Sequence, residues 1–467
     1  MAESLYETDW LASRPVFYNE ETGAAGVNVN DVIAFADLEF DAEGLNAYLG
    51  SGFAVFGHTP VRGVRYLPPS SRLLRDEGGR LRVEPVPLDL DALLAVRHTE
   101  DEAVELLRER VRAAEAAAPA ELVIPTSGGF DSRLLNIMVS DPGRIRSFTF
   151  GPTQRQEDSA EVARARALAA KLGTRWERIH LRPFHGFLDE WDDAFGPVIH
   201  AHGMYQMDFY SQVRSRVGAG SVVLSGLFGD WIEGKGDDWV PPVTRPSEVR
   251  NVVFTFVMRA DLSASVVPFR GTLAEEYFET HREALASHRR RVIEAIRSRM
   301  MLLHYLLRVP ELYGLASDAP FLDLETAIAM LSLPDERRAH RLWVRDYLRS
   351  QGAMLEDAGG SSAYWLYWPV MRAQPLEPLD EQLLAEVVRP EYVRWINRNV
   401  GWKGAWWEVY ERLGQRRGFR RAAAYLRSRG IRQPRLIAYH AYMTLRPIQR
   451  LLQKRDAARR AVDGGQA

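Results

Sequence analysis

The sequence predicts an α/β protein in which a parallel sheet is covered by helices on both faces. Between residues 121 and 225, short apolar segments that favour strands alternate with longer amphipathic segments that favour helices. Such alternation is typical of a parallel sheet with helical crossovers. In addition, the first strand of the series runs into a glycine-rich loop, and a predicted helix follows that loop directly. Residues from about 265 onward are predicted to be mainly helical.

The region before the sheet is predicted to be rich in short strands and turns. In residues 16–90, clusters such as Gly-His-Thr-Pro and Pro-Pro-Ser-Ser interrupt short apolar runs. After them, Val104, Leu107 and Val111 recur at helical spacing. This spacing predicts a helix from Glu100 to Ala117 that leads into the first strand of the sheet.

The predicted strands of the sheet cover 121–126, 145–150, 176–181 and 221–225. Helices are predicted at 132–139 and 157–172, and Gly173 stands where a glycine commonly ends a helix. Ligands of parallel sheets bind beyond the carboxyl ends of the strands. The glycine-rich loop after the first strand therefore lies at the expected binding edge.

That loop, Ser127-Gly-Gly-Phe-Asp-Ser132, has the composition of an anion-binding loop. Gly128 and Gly129 allow the backbone to approach a bulky anion closely. The hydroxyls of Ser127 and Ser132 and the N–H groups at the start of the helix can hold phosphate oxygens. A carboxylate repels phosphate, so Asp131 indicates a Mg²⁺ ion between the two. The alternative interpretation is a tight Gly-Gly turn that Asp131 and Ser132 cap.

A second loop of similar composition follows the strand at 221–225. It reads Ser225-Gly-Leu-Phe-Gly-Asp230, again small residues and then an acid. In a parallel sheet both loops open on the same edge, where Asp131 and Asp230 can share one Mg²⁺ with phosphate oxygens and waters. Taken alone the segment is an ordinary glycine turn, and its pairing with the first loop favours a functional interpretation.

The composition excludes several classes of protein. The 467 residues contain no cysteine, which excludes disulfides, thiolate metal sites and a cysteine nucleophile. The formal net charge of −2 provides no overall field that selects nucleic acid or an anionic membrane. No apolar stretch is long enough for a membrane span, and the first residues lack a targeting pattern. We therefore expect a cytoplasmic protein without a membrane span and without a nucleic-acid partner.

The two loops together resemble the pyrophosphate loop and second acidic loop of the asparagine synthetase-like superfamily of N-type ATP pyrophosphatases, over residues 40 to 350. Members carry Ser-Gly-Gly-Leu-Asp-Ser and later Ser-Gly-Glu-Gly-x-Asp-Glu. Further segments match in the same order, namely Gly63-Val-Arg-Tyr-Leu-Pro-Pro69, Ser147-Phe-Thr-Phe-Gly151, the helix from Glu157 to Gly173, Ala319-Pro-Phe-Leu-Asp323 and Leu331-Ser-Leu-Pro334.

The resemblance implies an adenine nucleotide alpha hydrolase-like fold and an ATP-dependent, AMP-forming carbon–nitrogen ligase. The regions it implies are a truncated amidotransferase-like part over 1–95, a synthetase domain over 96–390 and a basic helical part over 391–467. ATP and Mg²⁺ are the implied cofactors, and Asp131 and Asp230 are the implied metal ligands. Ser127, Gly128, Gly129, Asp131 and Ser132 are implied to hold pyrophosphate, and Pro125, Phe150, Ser225 and Gly226 to border AMP.

The chain departs from the family pattern at its catalytic positions. Ala2 stands where the glutamine-hydrolysing members have a cysteine, so glutamine hydrolysis of that type is not expected. Leu227 replaces the glutamate that is thought to accept a proton from the amine, and Trp231 replaces the acid after Asp230. The family's lysine aligns with Arg341, with Arg345 as the alternative, and arginine there acts as an electrostatic clamp rather than a proton shuttle.

These departures resemble the beta-lactam and lasso-peptide macrolactam synthetases, natural-product enzymes that lack a working glutaminase. By that resemblance the substrate is a small-molecule or peptide carboxylate, and a precursor peptide or partner protein is a possible companion. Two alternatives remain open. One is ammonia-dependent amidation of aspartate or a sugar acid, and the other is a catalytically inactive binding subunit that keeps the nucleotide fold.

Four further segments allow both a functional and a structural interpretation. His200 and His202 form either part of a metal site or a substrate wall. Glu233, Asp237 and Asp238, with Lys235 between them, supply either a substitute base or a solvated loop.

The aromatic cluster Tyr364–Trp368, with Trp395, Trp402, Trp406 and Trp407, indicates a core or interface, with a peptide groove as the alternative. Between Arg412 and Arg455 there are 13 Lys or Arg and no acid, which indicates either a partner surface or a solvated helical face.

Overall fold

The computed structural model describes residues 3–151, 154–253, 258–359, 374–400 and 434–464. Its N-terminal part contains two small antiparallel sheets, with strand orders β1-β5-β6 and β3-β2-β4. The strands are β1 Glu3–Glu7, β2 Phe17–Asn19, β3 Ala25–Gly26, β4 Val64–Tyr66, β5 Ser71–Arg75 and β6 Leu81–Pro85. The prediction of a strand-rich region is confirmed. The structure adds helix α1, Ala42–Ser51, which Asp41 caps by accepting a hydrogen bond from the N–H of Gly44.

The central sheet has five parallel strands in the order β11-β10-β7-β8-β9. The strands are β7 Leu122–Pro125, β8 Ile145–Gly151, β9 Arg175–His180, β10 Val222–Leu224 and β11 Ala316–Asp318. The parallel α/β fold is confirmed. The sequence does not predict β11, a three-residue edge strand that pairs with β10 from Val222↔Ala316 to Leu224↔Asp318.

Helices precede, connect and cover the strands of this sheet. The structure has α2 Leu90–Ala95, α3 Glu100–Ala117, α4 Phe130–Met138, α5 Ala160–Leu172, α6 Leu188–Phe195, α7 Tyr205–Arg214, α8 Gly236–Trp239, α9 Pro246–Val253, α10 Leu273–Ala286 and α11 His288–Leu303. It continues with α12 Tyr305–Leu312, α13 Leu324–Leu331, α14 Asp335–Arg338, α15 Leu342–Ser350, α16 Pro390–Val400 and α17 Pro434–Gly464. Helix α3 has the predicted bounds, and Gly173 ends α5 at φ 70° as predicted.

The core of the sheet is continuous with the core of the N-terminal part. Leu122, Val123 and Ile124 of β7 are fully buried, and Leu45 and Leu49 of α1 belong to the same hydrophobic cluster. None of the helices in the described ranges combines the length and the apolar composition that a membrane crossing requires.

Helix α17 packs across the protein rather than extending from it. Its Leu445 and Ile448 are fully buried, and the hydroxyl of Tyr48 in α1 donates a 2.9 Å hydrogen bond to the carbonyl of Thr444. The cations of α17 pair internally, since Arg446, Arg450 and Lys454 contact Asp189, Asp192 and Asp193 of α6.

For residues 434–455, the interpretation as a partner surface or a solvated face is therefore wrong. Residues 412–433 lie outside the described ranges, as do Tyr364–Trp368, Trp402, Trp406 and Trp407. The described member of that aromatic cluster, Trp395, stacks on Tyr392 with ring centroids 6.1 Å apart.

Candidate active site

The two glycine-rich loops leave neighbouring parallel strands at the same edge of the sheet. β7 and β10 pair in parallel at Leu122↔Val222 and Val123↔Val223. The loops then pack together, because a Cβ placed on Gly226 or on Gly229 would lie 3.1 Å from the Cβ of Asp131. Small residues in the second loop therefore allow the first loop to bring Asp131 against it.

The first loop is shaped for a close ligand approach. Gly128 has φ 68°, and a Cβ there would lie 2.5 Å from the Cβ of Arg164, so both conformation and space require glycine. Gly129 precedes helix α4, and no side chain caps that helix end by a hydrogen bond. The Ser132 hydroxyl donates to the carbonyl of Gly129 at 3.1 Å, and the Ser127 hydroxyl accepts from the N–H of Gly129 at 3.3 Å. The helix thus presents its positive end at this loop.

Arg341 reaches the first loop from a distant part of the chain. Its Nη2 donates to Oδ1 of Asp131 at 2.5 Å and also to Oε2 of Glu233. Its guanidinium carbon lies 4.8 Å from the ring centroid of Phe130. Arg341 has φ 57° and follows His340 at φ 51°, two successive non-glycine residues in the left-handed region. The alternative residue, Arg345, is exposed.

Glu233, for which the sequence allows either a substitute base or part of a solvated loop, is a buried acid of this site. Its side chain is fully buried, and Oε1 has no hydrogen-bond partner among the described residues. Burial raises the pKa of Glu233 to about 8, although Arg341 opposes the shift. Burial likewise raises the pKa of Asp131, with Arg341 opposing and Asp230 adding to the shift.

The local chain path explains why Glu233 points inward. Residues Trp231–Lys235 form a π-helical turn in which Gly234 has φ 136°, and the indole N–H of Trp343 donates to the Glu233 carbonyl at 2.8 Å. A Cβ on Gly234 would lie 2.2 Å from the carbonyl oxygen of Arg338. Gly234, directly after Glu233, is the sequence signal for this turn, but it does not predict that the Glu233 side chain is buried.

The remaining charged residues of the second loop have different partners. Lys235 Nζ lies 2.8 Å from Oδ2 of Asp230 and 4.0 Å from the ring centroid of Trp239. Asp237 accepts two hydrogen bonds from Arg338, at 2.9 and 3.0 Å, and one from Arg289. The interpretation of this segment as a solvated loop is wrong for Glu233 and Asp237. Both candidate metal ligands, Asp131 and Asp230, have a cationic side chain as their partner.

The residues predicted to border AMP lie at or just beyond the strand ends. Pro125 ends β7, Phe150 is the last residue but one of β8, and Ser225 and Gly226 follow β10. The Phe150 carbonyl accepts a hydrogen bond from Nε2 of Gln156, and the Ser225 N–H donates to the Asp318 carbonyl at 2.8 Å. These four residues therefore lie near the carboxyl ends of their strands, at the edge of the sheet where the first loop leaves β7.

Leu227, which the resemblance aligns with a glutamate of the family, has a buried apolar side chain. Leu227 and Trp231 are 5% and 6% exposed, and both belong to the main hydrophobic cluster. The guanidinium carbon of Arg299 lies 4.4 Å from the ring centroid of Trp231. Neither side chain can accept a proton. The acids between Ser225 and Lys235 are Asp230 and Glu233.

His200 and His202 belong to an aromatic group with His185 and Tyr439, and Tyr205 connects the ring of His202 to that of Phe150. The Nε2 of His185 is 3.1 Å from the Tyr439 hydroxyl, and the rings of His202 and Tyr439 are 5.9 Å apart. Burial lowers the pKa of His185 to about 4 and that of His200 to about 3. Among the described residues, no three His, Cys, Asp or Glu side chains are grouped as a metal site.

One family model matches the part of the chain that contains both loops. The sequence model of the family described as asparagine synthase matches residues 103–355, more than half of the chain. No curated protein matches the chain.

Two solved structures are similar at low identity. The NH3-dependent NAD synthetase from Campylobacter jejuni subsp. jejuni NCTC 11168, in complex with the nitrate ion, is 14% identical with a TM-score of 0.19, over 55% of this chain and 96% of that chain. The glutamine-dependent NAD+ synthetase from Acinetobacter baumannii, in complex with ADP, is 12% identical with a TM-score of 0.21, over 65% of this chain and 52% of that chain. These scores are too low to support an argument about structure or function. The match over residues 103–355 shows that the chain belongs to the asparagine synthase family, whose general chemistry is ATP-dependent amidation.

Proposed function

We propose that the chain is an ATP-dependent ligase that activates a carboxylate as an acyl-AMP, releases pyrophosphate, and couples the acyl group to an amine. The observation that supports this most directly is the packing of Asp131 against Gly226 and Gly229, at the edge where β7 and β10 end. That packing brings the two acidic loops into contact, which supports a shared role for Asp131 and Asp230.

The residues present fit ATP and Mg²⁺. Helix α4 begins without a side-chain cap directly after Gly129, so its first N–H groups are available to phosphate oxygens. Arg341 pairs with Asp131, and Lys235 pairs with Asp230. The carboxylates of Asp131 and Asp230 thus already stabilise positive charge beside the first loop, as ligands of a metal ion would. Asp131 and Asp230 would hold the metal, which when bound would offset the charge that builds on pyrophosphate.

The chain's own groups have separate tasks in the proposed reaction. Ser127, Gly128, Gly129 and Ser132 hold the pyrophosphate, while Pro125, Phe150, Ser225 and Gly226 border the adenylate. Arg341 is the clamp for negative charge, since its guanidinium is always protonated and can bind two oxygens at once.

Both chemical steps balance without a cysteine. In the first, a substrate carboxylate oxygen attacks the α-phosphorus of ATP and the bond to pyrophosphate breaks. In the second, the amine nitrogen attacks the acyl carbon, the bond to AMP breaks with AMP keeping the electron pair, and the proton of the amine passes to solvent water. Because the chain has no thiol, we propose that the amine comes from the substrate and not from glutamine hydrolysis of the cysteine type.

An assay of pyrophosphate and AMP tests the proposal. The protein is incubated with ATP, MgCl₂ and a panel of peptide, amino-acid and sugar carboxylates, with and without ammonium chloride. Acid-dependent formation of equal amounts of pyrophosphate and AMP supports the ligase. Release of ADP and phosphate contradicts the AMP-forming reaction.

The same assay separates the alternatives. Product formation that requires ammonium identifies the ammonia-dependent amidation of aspartate or a sugar acid. If no acid gives more pyrophosphate than the Asp131→Asn variant, the chain is a binding subunit, and the internal pairing of Arg341 with Asp131 is what that role would predict.

A further inference from the structure

One nitrogen of Arg341 serves two carboxylates. Nη2 donates both to Oδ1 of Asp131 and to Oε2 of Glu233, while the planar face of the guanidinium lies over Phe130. The Asp131 side chain is 24% exposed, whereas the Glu233 side chain is fully buried. Arg341 therefore has one partner at the open side of the site and one inside the protein.

The pair of Arg341 and Glu233 is only half formed. Nε of Arg341 and Oε1 of Glu233 are both buried, and neither has a hydrogen-bond partner among the described residues. A guanidinium and a carboxylate can form two parallel hydrogen bonds through such atoms, and the bidentate form is the stronger one. The two atoms without partners thus belong to side chains that are already in contact.

The backbone holds Glu233 in place for this contact. The π-helical turn Trp231–Lys235 directs it inward, and Trp343 binds its carbonyl. Glu233 is the next acid after Asp230 in the second loop, and its carboxylate is on the side of Arg341.

We propose that Glu233 is a positioning residue that keeps Arg341 in the site when Asp131 turns to the metal. In the structure, Arg341 bridges Asp131 and Glu233. With Asp131 engaged by a metal ion, Arg341 would pair with Glu233 through both Nε and Nη2 and would stay beside the loop as the clamp. This inference rests on the proposed function, because it assigns Asp131 to the metal.

Binding of Mn²⁺ together with α,β-methylene-ATP tests the proposal without turnover. Free Mn²⁺ is measured by electron paramagnetic resonance for the wild type, Glu233→Gln, Arg341→Gln and the double variant. In Glu233→Gln, Asp131 is the one carboxylate that remains for Arg341. If Asp131 then binds the metal, the buried guanidinium of Arg341 has no carboxylate partner. We expect Mn²⁺ affinity to fall about 5-fold to 20-fold.

The double variant separates positioning from a simple effect of charge. If Glu233 acts through Arg341, Glu233→Gln has little effect on Mn²⁺ affinity in the Arg341→Gln background. If it acts only as a nearby negative charge, the loss is equal in both backgrounds, and the proposal is wrong. Unchanged Mn²⁺ affinity in the single variant also overturns it. Asp238→Asn is the matched control, since Asp238 is in the same segment, is 45% exposed and contacts His340.

A second variant covers the case in which Glu233→Gln does not fold. Arg341→Lys keeps the charge but cannot form a bidentate pair, so we expect a loss of Mn²⁺ affinity of about 5-fold. Wild-type affinity in that variant contradicts the bidentate state. A wild-type protein that forms pyrophosphate but shows no coupling between residues 233 and 341 overturns this inference alone. A wild type that neither binds Mn²⁺ with the analogue nor forms pyrophosphate overturns the proposed function and this inference with it.

Discussion

Arg341 and Asp131 are 210 residues apart in the sequence, yet Nη2 of the first lies 2.5 Å from Oδ1 of the second. The contact joins the loop after β7 to the segment between α14 and α15, and Glu233 joins the loop after β10 to the same arginine. A charge cluster built from three distant segments is the central feature of this sheet edge. The predictions below test its chemistry and the way in which the fold supports it.

Replacing Asp131 by Asn is expected to abolish the formation of pyrophosphate. The variant keeps the shape of the side chain and removes the proposed metal ligand, so the rate should fall by at least about 10²-fold. The fold should persist, because Arg341 keeps Glu233 as its partner and burial already disfavours the charged form of Asp131. Pyrophosphate release and thermal unfolding are measured on the same preparation.

Asp141→Asn is the matched control for that variant. Asp141 follows α4, and its Oδ1 accepts a 2.9 Å hydrogen bond from the N–H of Gly143. Asparagine caps such a turn as well as aspartate does, so activity should stay at the wild-type value. Full turnover in Asp131→Asn, with the control unchanged, removes the loop from the mechanism.

Arg133→Lys is expected to weaken the first loop and the protein together. The Arg133 side chain is 1% exposed and donates to the carbonyls of Gly128 and Ala353 at 2.9 and 3.0 Å, and to Glu356 at 2.9 Å. A lysine cannot span these acceptors, and a buried acceptor left without a donor costs about 1–3 kcal/mol. Denaturant unfolding and the KM for ATP are the measurements.

The control for Arg133→Lys is Glu356→Gln. The Glu356 side chain is 40% exposed, and a glutamine keeps an oxygen that can accept the hydrogen bond from Arg133. We expect a small change in the free energy of unfolding and an unchanged KM for ATP. Equal effects of the two variants contradict a special role of the carbonyl contacts to the loop.

Much of the fold is predictable because its signals are local. Helix α3 has the predicted bounds, since its apolar residues recur at helical spacing and Thr99 forms a capping box with Glu102. Strand β11 escapes prediction because Ala316–Asp318 is short and lacks an apolar pattern, and because it pairs only with β10, nearly 100 residues earlier in the chain. Its existence depends on the sheet that it joins.

The candidate site is predictable only in part for the same reason. Within each loop the glycines and the acid are close in sequence. The composition of each loop therefore indicates an anion or metal site before the fold is known. The burial of Glu233 cannot be predicted from its neighbours in sequence. It depends on the turn at Gly234 and on the contact with Arg341, which is 108 residues away in the chain. The pairing of the α17 cations is likewise not predictable from the sequence of α17, because their acidic partners are in α6.

Gly234→Ala is expected to be more destabilising than Gly173→Ala, although both glycines have positive φ. Gly173, at φ 70°, has no heavy atom within 4 Å of an added Cβ, so only the left-handed conformation is penalised, by about 1–2 kcal/mol. An added Cβ on Gly234, at φ 136°, meets the carbonyl oxygen of Arg338 at 2.2 Å and must displace the backbone. Thermal unfolding compares the two variants. Equal melting temperatures contradict the described turn and therefore the inward position of Glu233.

Asp192→Asn is expected to stabilise the protein increasingly as the pH rises from about 4 to about 7. The Asp192 side chain is 1% exposed, and neither carboxylate oxygen has a hydrogen-bond partner among the described residues. Burial raises the pKa of Asp192 to about 7, with Asp189 adding to the shift and Arg446, Arg450 and Lys454 opposing it. The folded state therefore holds a proton that the unfolded chain loses near pH 4.

Because the folded state binds the extra proton, wild-type stability falls as the pH rises through this window and levels off above it. Asparagine does not titrate, so its advantage over wild type should grow between pH 5 and pH 8, by on the order of 2–3 kcal/mol. Unfolding free energies at pH 5, 6, 7 and 8 provide the measurement. Asp193→Asn is the control, since Asp193 is 54% exposed and pairs with Lys454 at 2.8 Å. The unfolding free energy of Asp193→Asn should change with pH in parallel with that of the wild type. If Asp192→Asn also runs parallel to the wild type, Asp192 is ionised in the folded protein throughout this range and the prediction is wrong.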